Sequence, residues 1–134
     1  MWKRFLVAMA IVAVAAPPAV ALAHVDDERT TVATGRNPSV VRAGARVVVF
    51  GRIRSAEARC VARKVVRIYR ALPGRDRLVG GDVTSASGVY TVSLRPRFDM
   101  RVYARFAGSF AASYGHQHRC RGDNSRPLLI DVRR

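Results

Sequence analysis

The sequence predicts an all-β fold, an antiparallel two-sheet sandwich of about seven strands closed by one disulfide. Three observations predict it. Segments rich in Val, Ile, Tyr and Phe recur between clusters of Gly, Pro, Asp and Ser. Apolar residues alternate with polar ones at period two, and no stretch holds a helical period beyond two turns. Two cysteines, Cys60 and Cys120, stand far apart in a chain that opens with an export signal.

The elements read in order. Lys3 and Arg4 precede an unbroken apolar run, Phe5 to Ala16, which is shorter than the roughly 20 residues that a spanning helix needs. Pro17 and Pro18 break it, and Ala21-Leu22-Ala23 offers small residues at a cleavage site. Residues 1–23 are therefore expected to be a signal peptide. Residues 24–134 are expected to be one domain starting at His24, with no membrane span after cleavage. Arg29–Thr34 is a weak first strand, followed by turns at Asn37-Pro38-Ser39 and Ala43-Gly44. Ala45–Arg54 is the strongest strand, and Gly51 inside it marks a bulge or a close backbone approach. Arg63–Ala71 places Val66 and Ile68 on one face. A Leu72–Asp76 turn leads to a short strand at Arg77–Val83, and Ser85–Gly88 is the next turn. Val89–Leu94 puts Tyr90, Val92 and Leu94 on one side, and Pro96 ends it. Met100–Phe106 sets Val102, Ala104 and Phe106 against Arg101, Tyr103 and Arg105. Leu128–Val132 closes the chain with Leu128, Ile130 and Val132 inward.

Fragments in this order carry a resemblance: Val48–Ile53 (VVFGRI), Cys60, Arg63–Arg70 (RKVVRIYR), Thr84–Leu94 (TSASGVYTVSL), Val102–Gly108 (VYARFAG), Cys120, Ser125 and the last strand. The Thr84 turn is similar to the T-D-x-x-G-x-[YF] turn of prealbumin-like and carboxypeptidase-regulatory-like domains, with Ser85 where Asp is usual. Over Val40 to Val132 the chain resembles small secreted bacterial Ig-like or transthyretin-like sandwiches. The resemblance implies an accessory, adhesive or structural module without catalysis, and it carries no active-site residue.

The residues themselves offer little for catalysis. There is no G-x-S-x-G motif and no phosphate-binding Gly loop, and a disulfide would leave no cysteine as nucleophile. Asp26, Asp27 and Glu28 read as a solvated, frayed end.

Charge is the most uneven property. The chain holds 24 basic and 9 acidic residues; without Lys3 and Arg4 the balance is 22 against 9, or +13, almost all of it Arg. Strand parity sets Arg52 and Arg54 opposite Ile53, Arg67 and Tyr69 opposite Val66 and Ile68, and Arg101, Tyr103 and Arg105 opposite Val102 and Ala104. On a shared sheet these residues would form one outer face of Arg and Tyr. Arg matches phosphate and carboxylate in bidentate fashion, and aromatics add stacking surface. Such a face suits an anionic cell-envelope polymer, in a secreted or periplasmic setting, without specific nucleic-acid recognition. The same Arg excess is also what codon bias in a GC-rich genome produces, and the oligomeric state is not readable.

A second reading is a copper site with no other cofactor. His24, as a new N-terminus, offers an α-amine and an imidazole, and His116-Gln117-His118 puts two imidazoles on one side of a strand. Such nitrogen donors suit Cu(II). Arg121-Gly122-Asp123 spells the integrin-recognition tripeptide in an expected loop, a motif short enough to occur by chance.

Overall fold

The computed structural model describes residues 24–113 and 116–134. The expected signal peptide, residues 1–23, lies outside the described residues. The strands are β1 (His24–Glu28), β2 (Thr30–Asn37), β3 (Val40–Arg42), β4 (Val47–Ser55), β5 (Val65–Arg70), β6 (Arg77–Val83), β7 (Val89–Leu94), β8 (Met100–Phe106), β9 (Ser109–Ser113), β10 (His116–Cys120), β11 (Asp123–Asn124) and β12 (Leu128–Arg133). Among the described residues one 3-10 turn, Ala58–Cys60, interrupts them. Among the described residues no helix is long and apolar enough to cross a membrane.

The strands form a sandwich. One sheet runs β3-β12-β8-β5-β6, with β11 also pairing β8; its partner runs β2-β4-β7; a smaller sheet, β1-β10-β9, adjoins them. The core follows the alternation in the sequence. Val47, Val49, Ile53, Tyr90, Val92 and Leu94 from one sheet meet Val66, Ile68, Val102, Ala104, Phe106 and Ile130 from the other, all buried. Leu128 and Val132 pack against the same cluster, partly buried.

Gly51 is the close approach that its place in β4 suggests. A Cβ there would lie 2.0 Å from the Ala33 carbonyl oxygen and 2.4 Å from the Tyr90 hydroxyl oxygen. That space is taken by a hydrogen bond, since the buried Tyr90 hydroxyl donates to the Ala33 carbonyl at 2.8 Å.

The seven expected strands correspond to β2, β4, β5, β6, β7, β8 and β12; the structure adds β1, β3, β9, β10 and β11. Pairing is mostly antiparallel, but β1–β10 and β3–β12 are parallel. The acidic segment expected to fray is β1. Asp27 pairs with Arg119 at 3.8 Å and with Arg121 at 3.2 Å, and the Arg121 amide donates to the Glu28 carbonyl at 2.9 Å. Backbone pairing with β10 and these ion pairs supply what its apolar content does not.

Cys60 and Cys120 are bonded, with S–S 2.00 Å and Cα atoms 5.4 Å apart. Both are buried, and the bond fastens β10 to the 3-10 turn.

Candidate functional site

Five of the seven residues expected on one face, Arg67, Tyr69, Arg101, Tyr103 and Arg105, lie on paired strands of the six-stranded sheet. In the β5–β8 register Arg67 lies opposite Arg105, and Tyr69 lies opposite Tyr103. The inward neighbours Val66, Ile68, Val102, Ala104 and Phe106 are buried, so the alternate residues face outward. The two tyrosine rings stack on each other, centroids 5.7 Å apart at 19°. The face is therefore built in rungs: a pair of arginines, a pair of tyrosines, then Arg101 opposite Leu129. Arg101 and Arg105 are about 13 Å apart along the strand at its usual rise.

The tyrosine rung is anchored. The Tyr103 hydroxyl donates to Asp76 Oδ2 at 2.6 Å, and Asp76 Oδ1 accepts from the Leu72 amide at 3.1 Å. The bond from Tyr103 and the one from Leu72 hold the Asp76 carboxyl below its ordinary value, while the same contact with Asp76, above all, raises the Tyr103 phenol. Arg105 sits between two hollows. One of about 220 Å³ is lined by Arg67, Tyr69, Arg105 and Ala107. The other, about 460 Å³, runs from Arg105 to the Gly122–Asn124 segment. Among the described residues no ion pair engages Arg67 or Arg105.

Arg52 and Arg54 do not join this face. They are exposed on β4, which pairs with β2 and β7 in the opposite sheet. Parity puts them outside, as expected, but strand pairing puts them on the other side of the sandwich.

The histidines fall on paired backbone. His24 and His116 are Cα partners in the β1–β10 register, as are Asp26 and His118. The segment holding His116 and His118 is thus a strand. The His118 ring is largely buried at 16% side-chain exposure, with Nδ1 4.0 Å from an Asp26 oxygen.

The Arg121-Gly122-Asp123 tripeptide is tied into the fold. Asp123 starts β11, and its carboxylate accepts the Val32 amide at 2.8 Å. The Arg121 guanidinium donates to Asp27. The Arg121 carbonyl accepts the Thr30 hydroxyl. Both charged ends of the tripeptide hold β1 and β2 in place, and neither carboxylate nor guanidinium is presented alone.

No protein-family model and no curated protein matches this chain. Among solved structures it is similar to the sulfur carrier protein SoxY from Chlorobium limicola f thiosulfatophilum. The identity is 9% and the TM-score 0.35, over 76% of this chain and 80% of that one. No residue or role is carried over from that protein.

Proposed function

We propose that this chain is an exported, non-catalytic Ig-like or transthyretin-like sandwich whose β5–β8 face binds polymeric anions of the cell envelope. The observation that carries the reading is the Arg67–Arg105 rung, two outward arginines on paired strands without an ion-pair partner among the described residues. Like charges directly opposite on paired strands destabilise a sheet, so an anion bridging them relieves the pair. Guanidinium forks grip phosphate or carboxylate oxygens. Arg101, about 13 Å along the strand, extends the grip from one anionic group to a chain of them. The disulfide supports export, since such bonds persist in oxidising compartments.

The test uses duplex DNA as a charge-defined probe, with affinity measured by fluorescence anisotropy across a salt series. Each neutralised phosphate contributes a log–log slope of about −0.9. Arg67→Gln with Arg105→Gln is expected to flatten the slope by up to about two units. Arg52→Gln with Arg54→Gln removes the same charge from the opposite sheet and is expected to change it much less. Equal losses from the two pairs would mean that binding follows total charge, and the face would not be a site.

A further inference from the structure

The second feature lies where β1, β10 and the 3-10 turn meet. Glu28 comes from β1, His118 from β10, and Glu57 from the position that caps the 3-10 turn. One oxygen of each glutamate and a ring nitrogen of His118 lie within 4.8 Å of one another, and all three residues are half-buried. The sequence separates Glu28 from His118 by most of the chain. The disulfide closes that gap: Glu57 precedes Cys60 by three positions, His118 precedes Cys120 by two, and Glu28 is the register partner of Cys120.

Two carboxylates held this close, with water partly excluded, repel each other. The Arg59 guanidinium reaches one of them weakly, with Nε 3.9 Å from Glu57, and is itself mostly exposed. His118 Nδ1 is buried and has no hydrogen-bond partner. The Asp26 carboxylate stands 4.0 Å from it, beyond hydrogen-bonding range. A cation shared by the three side chains would remove the repulsion and use the imidazole.

We propose that Glu28, Glu57 and His118 form a binding site for a first-row divalent cation, of which zinc is the best fit. One imidazole nitrogen with two carboxylate oxygens is a donor set that zinc accepts, leaving a fourth position open. With bonds of about 2.0–2.2 Å, tetrahedral donors stand ~3.4 Å apart, so the donors need to draw together from within 4.8 Å to that spacing. The proposal does not rest on the basic face. Its donors also differ from the His24, His116 and His118 set that suits copper.

The experiment titrates chelator-stripped exported protein with Zn²⁺ alone by calorimetry. Saturable one-to-one binding is expected. Glu57→Gln and His118→Gln are each expected to weaken it by at least about tenfold. One extra residue ahead of His24 should leave it unchanged. On the unmutated protein, the His118 imidazole nitrogen resonances should shift on adding Zn²⁺, which guards against variants that merely misfold. Absence of saturable binding overturns the proposal. Unchanged affinity in Glu57→Gln, an unmoved His118 signal, or loss of binding on N-terminal extension also overturns it.

Discussion

Replacing Gly51 by Ala tests how β2 and β4 are fitted together. The new methyl carbon would meet the Ala33 carbonyl oxygen at 2.0 Å and the Tyr90 hydroxyl oxygen at 2.4 Å. Tyr90 is fully buried, so its ring has no free space to turn into. On propensity alone the change should stabilise the strand by roughly 0.5–1 kcal/mol. Against that stand overpacking, about 1–3 kcal/mol or more, and loss of the Tyr90–Ala33 hydrogen bond, about 1 kcal/mol. The net expectation is a loss of roughly 2–3 kcal/mol, or about 9–13 °C in Tm for a domain of this size. Tyr90→Phe alone should cost about 1 kcal/mol. In the Tyr90→Phe background Gly51→Ala should cost about 1 kcal/mol less, because the hydroxyl and its hydrogen bond are already gone, although the ring carbon at 2.6 Å stays in the way. The backbone obstacle at Ala33 persists, so the cost should not vanish. Urea unfolding followed by far-UV circular dichroism gives all four stabilities. A Gly51→Ala variant as stable as the parent, or strict additivity with Tyr90→Phe, would refute this account of the β2–β4 contact.

Two further outcomes are expected. Cys60→Ser removes a bond that spans 60 positions and should cost about 4 kcal/mol in the chain-entropy model; two alkylatable thiols in the native parent would show the bond is not made. Asp76 titrates below its ordinary value, so its contribution to stability holds above the unfolded value and is lost as pH falls through the folded one. Tyr103 titrates above its ordinary value, so its contribution is complete below pH 10 and is lost as pH rises through the folded value. Tyr103→Phe should flatten the alkaline limb and diminish the acid limb of the urea midpoint against pH; an unchanged profile would remove the Tyr103–Asp76 bond from the account.

The strands that alternate cleanly were legible because half of their residues enter the core. Tyr90, Val92 and Leu94, or Val102, Ala104 and Phe106, announce both the strand and its inward face. The strands that the pattern does not show, β1 with its acidic run and β10 with His116-Gln117-His118-Arg119, are held by backbone pairing and ion pairs, and neither leaves a period in hydrophobicity. Parity places every arginine of the proposed face outward, but parity carries no information on which strands pair, so it groups Arg52 and Arg54 with a sheet they do not belong to. The Glu28–Glu57–His118 cluster had one usable signal. Once Cys60 and Cys120 are taken as bonded, Glu57 and His118, three and two positions before them, are brought into the same region. Glu28 had none, because the parallel β1–β10 register is a property of the assembled sheet.

The two parallel pairings have a consequence for the order of assembly. β1 finds its partner at residues 116–120 and β3 finds its own at 131–133, so the first strands of the domain pair with its last. Asp123 adds to this by capping the Val32 amide in β2. A chain that emerges N-terminus first, from a ribosome or through a translocation channel, therefore carries β1 and β3 unpaired until almost all of it has arrived. Closing so long a loop is an entropic cost met before any of these contacts forms, which makes for slow folding. The β2–β4–β7 sheet, complete by Leu94, can assemble earlier and wait. A chain halted near residue 113 would present that sheet with three orphan strands beside it, β1, β3 and β9, exposed to any other chain with an open sheet edge.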